Sequence, residues 1–182
     1  MNKKHLTAYA VVALLFAASG AYVGSQKQEA APPLTTAQPA GVTGPVEELF
    51  KQTLPDAKGA ATPLAQYKGK AMLLNFWAPW CGPCVQEMPE LSELASGEAG
   101  KKLQVVGIGI DSPTNIAEFS DKYKISYPVL VAGMSGTELS RQFGNSGGGL
   151  PFTVLIGADG QVKKTYLGRL KFDELRKDLA SL

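Results

Sequence analysis

The sequence predicts an α/β domain with a mixed central sheet flanked by helices, and three observations carry that prediction. From Val46 onward, short apolar runs alternate with segments of helical periodicity, the order expected of strands and helices packed in layers. Ala71–Trp77 (AMLLNFW) is apolar without alternation, as in a strand covered on both faces. Near the C-terminus the strand-like runs Phe152–Ile156 and Val162–Leu167 flank Ala158-Asp159-Gly160, a turn that makes them a β-hairpin and adds antiparallel pairing. Composition agrees: 45% hydrophobic residues supply a core, and 19% charged residues are too few for a disordered chain.

Residues 1–24 stand apart from this domain. Met1-Asn2-Lys3-Lys4-His5 is basic, and the apolar run from Leu6 to Val23 follows it, the pattern of an export signal or of an uncleaved anchor. Thr7, Tyr9, Ser19 and Gly20 weaken it as a membrane span, while Ala18–Ala21 offers small residues for cleavage. The flanking lysines put the N-terminus in the cytoplasm and the rest outside. No cysteine directly follows the run, which excludes a lipoprotein. Residues 25–45, rich in Ala, Pro, Gln and Thr, read as a linker. Its reach is roughly 25 Å as a coil and about 65 Å as polyproline, which suits a tether and favours an anchor at residues 6–23 over a soluble periplasmic product of cleavage.

The domain is expected over 46–182. After the strand 71–77, a helix begins at the cysteines: Pro83 suits its first turn, and Cys84, Met88, Leu91 and Ala95 form an apolar stripe that Pro89 should kink. Lys102–Ile110 reads as a strand, Asn115–Lys124 as a helix, Tyr127–Val131 as a strand and Thr137–Phe143 as a short helix. A flexible Gly147-Gly148-Gly149 precedes the hairpin, and Phe172–Leu179 is a closing helix. Lys3, Lys4 and Lys27 against Glu29 account for the whole formal net charge of +2, so the domain is neutral and has no electrostatic feature that would attract nucleic acid.

The two cysteines, Cys81 and Cys84, carry the chemistry. Zinc normally takes four Cys or His ligands, and the one histidine, His5, lies in the N-terminal segment, which excludes a zinc site and Cys–His nucleophilic catalysis. A two-thiolate Cu(I) site stays open. A structural disulfide over so short a loop would restrain little, roughly 2 kcal/mol. A pair between a buried strand and a helix N-terminus has another use. The helix end stabilises an anion by about 0.3–2 kcal/mol, enough to lower a thiol near 8.5 by up to about one and a half units. One sulfur then becomes a thiolate near neutral pH, as thiol–disulfide exchange requires.

Phe76-Trp77-Ala78-Pro79-Trp80-Cys81-Gly82-Pro83-Cys84 resembles the active site of thioredoxin-like proteins, and Leu74–Trp77 with Glu87-Met88-Pro89-Glu90-Leu91 resembles the exported TlpA/ResA branch. The resemblance covers Val46 to Leu182. It implies a thioredoxin-like fold with a central helix-plus-strand insertion, supplied here by Ser112–Val131. It further implies Cys81 as the exposed nucleophile, Cys84 as the buried resolving thiol, and Leu150-Pro151 as the cis-proline loop that receives substrate. Trp80, Gly82 and Pro83 would join that substrate surface, with Trp80 over the disulfide and Trp77 in the core. Glu87 matches a functional glutamate of the branch; its helical position, at the edge of the apolar stripe, also allows a solvated acid.

Two departures from the pattern stand out. Asn75 occupies the place of a buried aspartate and cannot shuttle a proton, so it reads as a hydrogen-bonded strand residue. Phe152 and Thr153 follow Pro151 where many relatives have two threonines. The resemblance implies an extracytoplasmic thiol–disulfide oxidoreductase without cofactor, monomeric, on the periplasmic side of the inner membrane. It favours the reducing direction, with electrons from a membrane thiol reductase of the DsbD/CcdA kind and clients in cytochrome c or copper-oxidase assembly. A disulfide-forming oxidase is the alternative. Ala78, where a thiol peroxidase has Thr or Ser, disfavours that class.

Overall fold

The computed structural model describes residues 44–182; the apolar segment at 1–24 and residues 25–43 of the expected linker lie outside the described residues. Helix α1 (Pro45–Phe50) opens the domain, with Gly44 at its N-cap and Pro45 in its first turn, where a missing N–H costs nothing. It buries Val46, Leu49 and Phe50. A hairpin of β1 (Thr53–Pro55) and β2 (Ala61–Pro63) follows. Neither strand is legible in the sequence, because both are too short to show a period. Asp56 shapes the turn, its Oδ1 accepting from the N–H groups of Lys58 at 2.8 Å and Ala60 at 2.9 Å. A short 3₁₀ turn, Leu64–Tyr67, leads into the main sheet.

That sheet has five strands in the order β5-β4-β3-β6-β7: β3 (Ala71–Trp77), β4 (Leu103–Gly109), β5 (Val129–Val131), β6 (Phe152–Ile156) and β7 (Val162–Leu167). The β3–β4 and β4–β5 pairs are parallel, and the β3–β6 and β6–β7 pairs antiparallel, so the sheet is mixed as expected. The helices are α2 (Gly82–Ser96), α3 (Pro113–Lys122), α4 (Ser135–Gln142) and α5 (Phe172–Leu179). α3 and β5 together are the expected insertion. The N–H of Ala57 donates to the Val129 carbonyl at 3.1 Å and Asp56 bridges to Leu130, so the β1–β2 hairpin covers part of the edge of β5.

The alternation of β3 divides the core. Met72, Leu74 and Phe76 pack on one face with Leu49, Leu64 and Phe143, whereas Leu73 and Trp77 pack on the other with Met88, Leu91, Ile116 and Leu175. Each of these large side chains contributes roughly 1.5–3 kcal/mol by leaving water. Asn75, between Leu73 and Trp77 in the same alternation, therefore faces the layer beneath α2. Pro89, where a kink is expected, sits inside a continuous α2 and supplies no N–H to the Val85 carbonyl.

Candidate active site

Strand β3 brings Trp77 to the end of the sheet, and the chain turns through Ala78–Trp80 into α2. The Cys81 N–H donates to the Ala78 carbonyl at 3.1 Å, closing that turn. Cys81 is the N-cap residue of α2, with Pro83 in the first turn. Its Sγ accepts from the Cys84 N–H at 3.3 Å, so a sulfur satisfies one of the free donors of the helix end. The two cysteines form a disulfide with their Cα atoms 5.3 Å apart, within the normal span for such a bond.

Cys81 keeps 6% of its surface in solvent and Cys84 none. Cys81 is thus the more accessible of the two residues, though less open than the exposed nucleophile expected. Gly82 and Pro83 are exposed beside it. Trp80, expected over the disulfide, is 69% exposed. Trp77 is core, its ring 5.1 Å from that of Phe119.

The Leu150–Pro151 bond is cis. Leu150 packs against the apolar cluster that contains both cysteines, and the Pro151 carbonyl accepts from the Gly168 N–H at 2.8 Å. Of the preceding glycines, expected to be flexible, Gly148 and Gly149 are held by Asn145, a residue without a sequence motif of its own; the Gly148 N–H donates to its backbone carbonyl at 3.0 Å. Asn145 is buried; its Nδ2 donates to Ser140 Oγ at 3.1 Å and to the Gly149 carbonyl at 3.0 Å, and its Oδ1 accepts from the Gly149 N–H at 3.1 Å. An asparagine next to a glycine-rich stretch is the only local signal of this, and its partners are not legible from sequence.

Glu87 departs most from a helical-wheel reading. It is fully buried and not a solvated edge acid. Its Oε1 accepts from Asn75 Nδ2 at 2.8 Å and its Oε2 from the Leu170 N–H at 2.8 Å. Asn75 Nδ2 also donates to Thr153 Oγ1 at 2.9 Å, so Asn75 is the hydrogen-bonded strand residue expected and Thr153 is part of the same group. Burial pushes the Glu87 carboxyl up to about 7, against the two hydrogen bonds and the Arg169 charge, which pull it down; the Glu90 charge adds to the rise. Arg169 is itself paired with Glu90 at 3.3 Å. A carboxyl with this affinity exchanges its proton near neutral pH, which an ordinary surface glutamate does not. Among the described residues no group of three or more His, Cys, Asp or Glu side chains gathers to hold a metal.

The Redoxin family model matches residues 26–179. The chain belongs to the Redoxin family. It is 29% identical over 130 residues to the thiol-disulfide oxidoreductase ResA of Geobacillus thermodenitrificans, covering 71% of this chain and 72% of that protein. To the ResA of Bacillus cereus it is 34% identical over 122 residues, covering 66% and 68%. Among solved structures it resembles a secreted Mycobacterium tuberculosis disulfide oxidoreductase homologous to Escherichia coli DsbE. That match has a TM-score of 0.63 at 27% identity and covers 75% of this chain and 99% of that one. The Redoxin chain is accordingly a thioredoxin-like thiol–disulfide oxidoreductase of the ResA/DsbE type, carrying one Cys-x-x-Cys disulfide.

Proposed function

We propose that the chain is an exported, membrane-tethered protein-disulfide reductase in which Cys81 is the nucleophile, Cys84 the resolving thiol and Glu87 the base that serves Cys84. The supporting observation is the pairing of an N-cap cysteine that reaches solvent with a buried carboxyl one helical turn beyond its partner. In the reduced domain the helix end favours the Cys81 thiolate. That thiolate attacks one sulfur of a client disulfide; the client S–S bond breaks, and the leaving sulfur takes up a proton from solvent. Cys84 then passes its proton to Glu87 and attacks the Cys81 sulfur. The bond from Cys81 to the client breaks, the second client sulfur leaves as a thiolate, and Cys81–Cys84 is oxidised as the client gains two electrons.

Trp80, Gly82, Pro83 and the Leu150–Pro151 loop form the surface that receives the client's backbone in this reading. Residues 1–24 export and anchor the chain and the linker before α1 holds the domain off the membrane, on the periplasmic side; secretion of the Mycobacterium tuberculosis neighbour is in keeping with that placement. A membrane thiol reductase of the DsbD/CcdA kind returns the electrons, and the clients belong to cytochrome c or copper-oxidase assembly. The direct test is Cys84→Ser, which should accumulate a mixed disulfide on Cys81 with extracytoplasmic proteins. A variant that traps nothing in cells containing oxidised clients refutes the order of attack.

A further inference from the structure

Three buried side-chain polar atoms have no hydrogen-bond partner among the described residues: Asn75 Oδ1, Trp77 Nε1 and the Tyr127 hydroxyl. They are not scattered. Asn75 and Trp77 lie two residues apart on β3 and share one face of the sheet. Gly107 pairs with Asn75 across the β3–β4 ladder, and a Cβ placed there would lie 3.0 Å from Trp77 Nε1 and 3.1 Å from the Tyr127 ring. A side chain at Gly107 would press on both rings, which close over the backbone at that point. Tyr127 also senses the carboxyl that Asn75 holds: after burial, the Glu87 charge is the remaining cause that raises its phenol.

The three atoms are chemically complementary. An amide oxygen only accepts, an indole N–H only donates, and a phenol does either. A water seated among them would donate to Asn75 Oδ1, accept from Trp77 and share a bond with Tyr127, the usual three bonds of a buried water. Leaving all three groups unpaired costs more than immobilising that one water. We propose that Asn75, Trp77 and Tyr127 hold a single buried water which, through the Asn75 amide, sets the proton affinity of Glu87, making Tyr127 and Trp77 positioning residues for the resolving step. A bond from this water to Oδ1 polarises the amide and strengthens its donation to Glu87 Oε1, which favours the ionised carboxyl. The other groups facing Glu87 are Glu90 on its own helix and, beyond β7, Arg169 and the Leu170 N–H. None of these reaches the carboxyl through Tyr127. The proposal's mechanistic use rests on Glu87 acting as the base for Cys84.

The test uses the oxidised full-length chain and its Tyr127→Phe variant, which loses one hydroxyl and keeps the ring. A high-resolution crystal structure of the wild type should show a water within hydrogen-bond distance of all three atoms. Carboxyl-carbon NMR should then show the Glu87 midpoint rising by about half a unit in Tyr127→Phe, the size of one weakened hydrogen bond, with the melting temperature little changed. Trp77→Phe, where it folds, should move the midpoint the same way. Absence of density between the three atoms, or an unchanged midpoint in Tyr127→Phe, overturns the proposal. Glu87→Gln tests the base assignment separately, through the rate of mixed-disulfide resolution. A wild-type rate there removes the base, while the water and the midpoint are read without reference to that rate.

Discussion

Replacing Glu87 with Gln removes a carboxyl that burial holds protonated well above its ordinary range, and the consequence is a change in stability that depends on pH. The carboxyl is raised from 4.5 to about 7, so the folded chain binds that proton more tightly than the unfolded chain by about 2.5 units. At roughly 1.4 kcal/mol per unit, the linked stability is about 3 kcal/mol. Because the folded value is raised, this contribution is complete below about pH 4.5 and is lost progressively as pH climbs to about 7. Glutamine is neutral throughout and shows no such loss. It carries a penalty of its own, since two donors, Asn75 Nδ2 and the Leu170 N–H, point at this side chain and Gln has one oxygen to meet them. One mismatched buried hydrogen bond costs about 1–2 kcal/mol at every pH.

The variant should therefore be less stable than wild type by about 1–2 kcal/mol near pH 4.5 and more stable by a similar amount near pH 8. Urea unfolding of both proteins across this range, with the disulfide intact so that no thiol titrates, measures the difference. Asp159 and Asp178, held below the usual carboxylate range by hydrogen bonds from Lys163 and Lys164 respectively, are common to both proteins and cancel. Parallel stability curves, with a swing under about 1 kcal/mol, would refute the reasoning: Glu87 would then titrate as a hydrated surface acid.

Three further outcomes are expected. Alkylation of the reduced domain at neutral pH should label Cys81 well before Cys84, given that Cys81 alone combines solvent contact with the helix N-cap; equal labelling would remove its assignment as nucleophile. Asn145→Ala should cost roughly 1–3 kcal/mol in unfolding free energy, because it strips the side-chain hydrogen bonds that pin Ser140 and Gly149, and a change under about 0.5 kcal/mol would show the loop is held otherwise. N-terminal sequencing of the mature protein should find Met1 or Asn2, with the chain sedimenting with membranes after a high-salt wash; a start near Ala21 would make the domain freely periplasmic.

Much of the fold was legible because the larger elements carry local signals. The largely apolar run 71–77, the glycine-containing turn at 158–160 and the proline after Cys81 mark the centre of the sheet, the hairpin and the start of α2 without any knowledge of tertiary contacts. Helix α1 and the β1–β2 hairpin were not legible. They are stabilised by what they cover: Leu49 is buried in the core, and Ala57 bonds to the edge strand. A six-residue helix or a pair of three-residue strands has too few positions to display a period of its own.

At the site the division follows sequence distance. Cys81 and Cys84 are three residues apart, so one turn of helix is enough to join them, and the sequence by itself determined the disulfide chemistry, the helix end beside it and the thioredoxin-like frame. The character of Glu87 depends on groups 12 and 83 residues away, Asn75 and the Leu170 N–H. On a helical wheel it sits at a boundary where burial and exposure are equally open. Only packing the strand beneath the helix and the β7–α5 segment beside it removes the water. That desolvation, and not the identity of the residue, is what lifts a common glutamate to a carboxyl that exchanges protons near neutral pH.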